Sequence, residues 1–350
     1  MRKLKATLLI LLAIVIITIL VLPAIFNKET EVLNSENRQD APGEFVELPN
    51  GVTHYEMLGP DTAQTVLLVH GFSVPSYIWD LTFKALTEQG FRVVRFDLFG
   101  RGYSDRPDAV YDGELFTQQI DDLLSALKIA CPVDIVGLSM GGPIVSEFVT
   151  KNPEKVRKVV LISPFNEGAN ISVLNIPVIG EYLMNVYFMP ALAKNQLEDF
   201  AKPEEHADWP AKFEPQMQYK GFKRAILSTL QNYMGEDKLP VFSKLDEQNK
   251  EVLLIWGEDD ITTPYRGSER IREVVECDFL SVKEADTYPT SNTLGLSIQG
   301  LSASWRNNRI TWFATKTTDG LLYASQESFR GHVVLPTDYT DLHEWGVHHR

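Results

Sequence analysis

The chain has 350 residues, of which 44% are hydrophobic and 23% charged, a composition that can bury a core in one large domain or two. Its formal net charge of −14 disfavours nucleic acid as a partner, because binding a phosphate backbone requires clustered Lys and Arg. The two cysteines are too few for a disulfide-rich scaffold.

The first segment, residues 1–26, is predicted to be a transmembrane anchor. Arg2, Lys3 and Lys5 precede an uncharged run that continues to residue 26. A spanning helix needs about 17–25 apolar residues, whereas the apolar region of a cleaved signal peptide is usually about 7–15. The length favours an uncleaved anchor over a cleaved signal. Because the basic residues precede the run, the positive-inside rule places the rest of the chain outside the cytoplasm.

The remainder of the chain shows the pattern of an α/β protein. Apolar runs typical of buried strands alternate with segments of helical spacing, which predicts a mostly parallel sheet flanked by helices. The predicted strands lie at residues 65–69, 91–96, 133–136, 159–162, 252–255 and 279–282, and the predicted helices at 116–128 and 142–151. The predicted parts are a linker at 27–44, a core at 45–164, a helical cap at 165–240, a second core part at 241–286 and a tail at 287–350.

The clearest chemical signal is the sequence Gly-Leu-Ser-Met-Gly-Gly at residues 137–142, which follows a predicted buried strand and opens a predicted helix. A nucleophile elbow requires this strand–turn–helix context, because the turn lifts the serine Oγ above the sheet. Glycines on either side remove Cβ clashes, and the helix N-terminus supplies free N–H groups near developing negative charge. Ser139 is therefore the predicted nucleophile, and a glycine turn with a solvated serine is the alternative.

Four motifs together resemble the lipase and esterase branch of the α/β-hydrolase superfamily. They are His-Gly-Phe at 70–72, Asp-Leu-Phe-Gly-Arg-Gly-Tyr-Ser at 97–104, the motif around Ser139, and Trp-Gly-Glu-Asp-Asp-Ile-Thr-Thr-Pro at 256–264. The resemblance covers about residues 52–164 and 251–285. It implies an α/β-hydrolase fold with an inserted helical cap, and no metal or other cofactor. A serine at the nucleophile position argues against the haloalkane dehalogenase and epoxide hydrolase branches, which use aspartate there.

The resemblance also implies the roles of other residues. Backbone N–H groups of Phe72 and Met140 are the candidates for the oxyanion hole. The catalytic acid is expected at Asp260, with Asp259 as the alternative. His70 is interpreted as structural, because the order along the chain in this fold is Ser, then acid, then His.

The family pattern breaks where the catalytic histidine should stand. The expected Gly-His pair after the strand at 279–282 is replaced, and Thr287 occupies the histidine position. A threonine cannot accept the Ser139 proton at neutral pH. If residues 285–287 are encoded GCG GAC ACT, restoring one lost G gives GCG GGA CAC, which encodes Ala-Gly-His. We therefore hypothesise that the tail from about Asp286 is out of frame and poorly ordered.

The rival hypothesis is a genuine tail that supplies its own base. His332, which follows a glycine, is the best candidate, although it lies 72 residues after Asp260 (332 − 260). The expected function is a membrane-anchored hydrolase that cleaves small carboxylic esters, with lipid-like esters or acylglycerols favoured. The alternative is a non-catalytic hydrolase-fold protein that lacks the base. Cys131 and Cys277 are expected to be free, because the resemblance places them several strands apart, beyond the reach of about 7 Å between Cα atoms.

Overall fold

The computed structural model describes residues 2–200 and 203–282, together with a short antiparallel pair of strands at Phe313–Lys316 and Gly320–Tyr323. Thr287 and His332 lie outside the described residues. Apart from that strand pair, the predicted tail at 287–350 also lies outside them.

The centre of the molecule is an eight-stranded sheet with the order β1-β2-β4-β3-β5-β6-β7-β8. Strands β3 to β8 are parallel, whereas β1 and β2 form an antiparallel hairpin that also pairs antiparallel with β4. The mostly parallel sheet predicted from the sequence is confirmed, and the hairpin was not predicted. The strands are β1 Glu44–Leu48, β2 Gly51–Leu58, β3 Thr65–Val69, β4 Arg92–Phe96, β5 Val133–Leu138, β6 Val156–Ile162, β7 Glu251–Gly257 and β8 Asp278–Val282.

Helices cover both faces of this sheet, and a helical cap is inserted between β6 and β7. The α-helices are α1 Arg2–Phe26, α2 Asp80–Glu88, α3 Gly113–Ala126, α4 Gly141–Lys151, α5 Ile179–Leu183, α6 Met189–Asn195, α7 Trp209–Phe213, α8 Phe222–Thr229, α9 Leu239–Asp246 and α10 Arg266–Arg272. Within the described part of the chain, five 3₁₀ turns lie at Ser76–Trp79, Pro153–Lys155, Gln196–Asp199, Pro203–His206 and Glu214–Gln218, and two π-helical turns at Met184–Phe188 and Leu230–Met234.

Two apolar cores, one on each face, hold the layers together. Side chains alternate across a strand, so Leu67 and Val69 of β3 join the core under α3 and α4, and Val66 and Leu68 join the other. The second core continues into the cap through buried side chains such as Phe213 of α7. The cap is therefore packed as an extension of the hydrolase core.

The segment predicted as a linker, residues 27–44, is bonded to the cap and is not a free tether. The backbone N–H of Glu31 donates to the Gln218 carbonyl at 2.9 Å, and the Lys220 N–H donates to the Glu31 carbonyl at 2.8 Å. The side chain of Glu29 accepts a hydrogen bond from the Lys223 backbone N–H at 2.6 Å. These long-range contacts could not be predicted from the polar composition of the segment, because hydrogen bonds between backbone groups do not require particular side chains.

Helix α1 carries the apolar N-terminal run. An 18-residue window within its span Lys3–Phe26 has a mean hydropathy of 3.3, and no residue of that window is buried. By length and composition the helix is able to cross a membrane, a property it shares with signal sequences. The two cysteines, Cys131 and Cys277, are both free, as predicted.

Candidate active site

Three predicted site segments converge on one edge of the sheet. Phe72 follows β3, Ser139 follows β5 and Asp260 follows β7. These strands are parallel, and only β6 lies between β5 and β7. Because the carboxyl ends of parallel strands share an edge, the fold brings the predicted nucleophile, oxyanion loop and acid to the same side of the sheet.

Ser139 has the backbone geometry of a nucleophile elbow. Its φ of 49° lies in the left-handed region, which is uncommon for a residue with a Cβ. Its N–H donates to the Ile162 carbonyl at the end of β6 at 3.0 Å, and its own carbonyl accepts from the Phe165 N–H at 3.0 Å. The turn is thus held from the neighbouring strand, which offsets the strain.

Glycines are required around Ser139 because other backbone segments approach closely. A Cβ at Gly141 would overlap the Val69 and His70 carbonyl oxygens at the end of β3. A Cβ at Gly71 would lie 3.3 Å from the Ser139 Cβ and 3.7 Å from its Oγ. The loop after β3 therefore passes directly beside the candidate nucleophile.

His70 is structural, in agreement with the sequence interpretation. It is fully buried, its Nδ1 bonds to the Gly71 carbonyl at 2.8 Å, and its Nε2 accepts the Leu98 backbone N–H at 2.9 Å. Burial lowers the pKa of His70 to about 4, so the ring is neutral at pH 7. With one nitrogen donating and the other accepting within the fold, the ring is not placed to take a proton from Ser139.

Arg101 fixes the loop that carries Phe72, a role the sequence analysis missed. Its Nε donates to the Phe72 carbonyl at 2.7 Å, and its two terminal nitrogens donate to the Phe99 carbonyl at 3.1 Å and the Thr229 hydroxyl at 2.9 Å. Burial lowers the pKa of Arg101 to about 9, which still leaves it charged at neutral pH. The signal available in the sequence was a charged residue, Arg101, between two glycines at positions 100 and 102.

The cap contacts the loops that follow β3 and β4 and also the loop that follows β7. Gln216 of the cap donates to the Ser73 carbonyl at 3.1 Å and accepts the Gly102 backbone N–H at 3.0 Å. On the other side, the Thr262 hydroxyl donates to Asp199 of the cap at 2.6 Å. These bonds place the cap over the oxyanion loop and the Asp260 loop together.

Asp260 is held in a tight turn and is 5% exposed. Its Oδ1 accepts backbone N–H groups of Thr262 at 3.0 Å and Thr263 at 2.7 Å, and its Oδ2 accepts the Thr263 hydroxyl at 2.7 Å. Asp259 is exposed at the surface of the same turn. Burial and orientation therefore favour Asp260 over Asp259 as the candidate acid.

A general base next to Ser139 is not found among the histidines of residues 2–282, which are His54, His70 and His206. The His54 ring bonds to Asp97 at 2.8 Å, and the His206 ring stacks on Phe200 with 4.0 Å between centroids. Among the described residues, no group of three or more His, Cys, Asp or Glu side chains is arranged to hold a metal ion.

The chain belongs to the α/β hydrolases: the family model described as alpha/beta hydrolase fold matches residues 64–286, more than half of its length. The carboxylesterase YbfK of Bacillus subtilis is 30% identical over 121 residues, covering 34% of this chain and 40% of that protein. A non-heme chloroperoxidase of Streptomyces lividans is 32% identical over 110 residues, covering 31% of this chain and 40% of that protein.

The fold is shared with solved hydrolases over a larger part of the chain. A thermophilic esterase from Thermogutta terrifontis superposes with a TM-score of 0.59 at 20% identity, covering 71% of this chain and 92% of that one. The chain spans only about 40% of the length of each of these two curated relatives. Together the family model and the solved structure show that this protein has the α/β-hydrolase fold.

Proposed function

We propose that this protein is a serine hydrolase that cleaves carboxylic esters, anchored in a membrane by α1 with the hydrolase domain outside the cytoplasm. The observation that carries the proposal is Ser139, held at a φ of 49° at the end of β5 with the Gly71 loop beside its Oγ. An apolar cap and an apolar anchor favour a lipid-like ester, such as an acylglycerol, as substrate.

The reaction follows from the arrangement at the sheet edge. Ser139 Oγ attacks the ester carbonyl carbon while a base takes its proton, and the carbonyl oxygen becomes an oxyanion. The backbone N–H groups of Phe72 and Met140 are the proposed donors to that oxyanion. The tetrahedral intermediate expels the alcohol, which takes the proton from the base, and water then hydrolyses the acyl-enzyme.

Asp260 is the proposed acid that orients the base. The base itself comes from the tail: His332 if the tail is genuine, or a histidine in place of Thr287 if one G is restored to the gene. The second candidate function, a hydrolase-fold protein that binds esters with little turnover, is favoured by Thr287 at the position of the base.

A fluorophosphonate probe tests the nucleophile. The probe is expected to label the full chain at Ser139, and Ser139→Ala should abolish labelling. Ser163 is a matched control, because it also follows a strand, has a φ of 39° and is buried. Ser163→Ala should keep the label. Labelling that persists in Ser139→Ala would refute the assignment, and a wild-type chain with neither labelling nor ester turnover would support the binding function.

A carbonate wash tests the anchor. The full chain in membranes should stay in the pellet at high pH, because an uncharged helix of this length is stable in the bilayer. Release of a chain that begins near residue 27 would show a cleaved signal instead.

A further inference from the structure

The chain reaches the cap almost immediately after α1 ends. Only four residues, 27–30, separate Phe26 from Glu31, whose backbone pairs with the cap, so the distance between Phe26 and Glu31 is at most about 18 Å. Lys28 adds an ion pair with Glu214 at 3.2 Å, and Glu29 bonds to the Lys223 backbone. If α1 crosses a bilayer, these bonds hold the cap at the bilayer surface.

The cap also contacts α1 itself. The π-helical turn Met184–Phe188 lies against α1, and Phe26 lines a small cleft together with Asn185 and Met189. Two aromatic side chains of this turn, Tyr187 and Phe188, are 70% and 40% exposed. Aromatic rings of this kind are favoured where a protein meets the membrane interface.

A second group of exposed apolar side chains lies on the same stretch of the cap. Residues 168–180 contain no charged side chain, and Val173, Ile176, Val178 and Ile179 are exposed. Val178, which is 79% exposed, has a φ of 67°, a strained value for a β-branched residue. We call Val173, Ile176, Val178, Ile179, Tyr187 and Phe188 the apolar cap surface.

The two groups are joined by continuous helix, and the turn that carries the second group contacts α1. Helix α5 begins at Ile179 and continues directly into the π-helical turn that contacts α1. Phe188 is nine helical steps after Ile179 (188 − 179), which corresponds to about 14 Å along the axis. The segment before α5 is fixed from below, since Leu174 is buried and its carbonyl accepts Gln231 Nε2 at 2.7 Å. The exposed side chains therefore belong to a segment whose backbone is held by the rest of the cap.

We propose that the apolar cap surface inserts into the outer leaflet of the same bilayer that α1 crosses, so that lipid esters reach the active site from the membrane. This inference rests on the anchoring part of the proposed function. Because the segment at 168–180 is uncharged and the chain carries a net charge of −14, insertion depends on apolar contact and needs no anionic lipid.

The experiment places a fluorescent label on the surface and asks whether lipid quenches it. The full chain carries Cys131→Ser and Cys277→Ala, and Val178→Cys or Tyr187→Cys is labelled with the fluorophore NBD and reconstituted in phosphatidylcholine vesicles containing doxyl-labelled lipid. Leu58→Cys is the matched control, because Leu58 is 54% exposed and pairs with Val93 at the start of β4, on the opposite edge of the sheet.

The labels at positions 178 and 187 should emit at shorter wavelength and be quenched at least about twofold more than the label at 58. Equal quenching at all three positions in a chain that resists carbonate would overturn the docking inference and leave the anchor standing. Release by carbonate would overturn both. A blue shift that increases with the amount of protein per vesicle, without quenching by lipid, would show that the surface contacts a second copy of the chain. That result would overturn the inference.

Discussion

The two sides of the candidate site are held in different ways. On the nucleophile side, Ser139 is fixed by backbone bonds to the next strand, and Gly141 fits against β3 without space for a methyl group. On the acid side, Asp260 is held by a local turn, and none of the three histidines of residues 2–282 is placed as a base beside Ser139. The candidate nucleophile and the Phe72 loop are therefore fixed by the sheet edge, whereas the proposed base would come from a separate segment.

The largest expected effect concerns the base. Inserting one G between the codons for Ala285 and Asp286 should restore a Gly-His pair and raise kcat/KM for a short activated ester by roughly 10³-fold or more, the order of loss seen when a triad member is removed. Ser139→Ala in the repaired chain is the control and should return activity to background. A repaired chain that is no more active would reject the frameshift hypothesis, and loss of activity in His332→Ala of the original chain would then identify the rival base.

The next effect tests the nucleophile side by two glycine substitutions. Gly141→Ala should lower the free energy of unfolding by about 2–3 kcal/mol, since its methyl group meets two rigid carbonyl oxygens. Gly71→Ala should change stability far less but slow fluorophosphonate labelling about tenfold, because its contact is with Ser139 itself. Urea unfolding in detergent and labelling rates measure the two effects. If both variants lost only stability, the Gly71 loop would have no specific bearing on the nucleophile.

A smaller effect is expected at Arg101. Arg101→Lys keeps the positive charge but cannot reach the Phe72 and Phe99 carbonyls and the Thr229 hydroxyl together. The displaced oxyanion loop should lower kcat about 10–100-fold with little change in KM. Arg92→Lys is the control, because Arg92 pairs with Asp61 at 3.1 Å at the opposite edge of the sheet. A higher KM with unchanged kcat would argue against this positioning role.

The smallest effect is a pH dependence that lies outside the site. Both ring nitrogens of His54 face acceptors, the Asp97 carboxylate and the Pro42 carbonyl, and this arrangement favours the protonated ring. Burial by itself would lower the pKa of His54, but the Asp97 charge and these hydrogen bonds outweigh it and raise the pKa. The pKa of Asp97 is correspondingly held below its usual range, since His54 outweighs the effect of burial.

Because the pKa of His54 is raised in the folded state, its stabilising contribution is complete at pH values below its pKa in the unfolded chain, about 6.5. The contribution is lost as the pH rises through the pKa of the folded state. His54→Gln should therefore cost about 1–2 kcal/mol of unfolding free energy at pH 6 and clearly less at pH 9. Urea unfolding at the two pH values measures the difference. A cost that stays constant with pH would show that the ring is neutral in the folded state.

Much of the sheet could be predicted because parallel strands buried on both faces read as continuous apolar runs. Strands β3 to β8 each lie at a predicted run, and α4 begins within one residue of its expected start. The hairpin β1–β2 was missed, since its half-buried strands mix polar and apolar residues. The contacts of residues 28–31 with the cap were missed because they are formed by backbone groups that any sequence possesses.

The sequence by itself determined the fold family, the apolar N-terminal helix and the position of Ser139, because these depend on local patterns of apolar residues and glycines. Only the tertiary structure decided that Arg101 holds the Phe72 loop, that Asp260 is buried while Asp259 is exposed, and that the cap is bonded to the segment that follows α1. Such features arise when residues far apart in the chain meet in space. The pattern of apolar residues in a segment indicates which of its side chains can be buried. It does not indicate which other segment covers them, because that depends on tertiary packing.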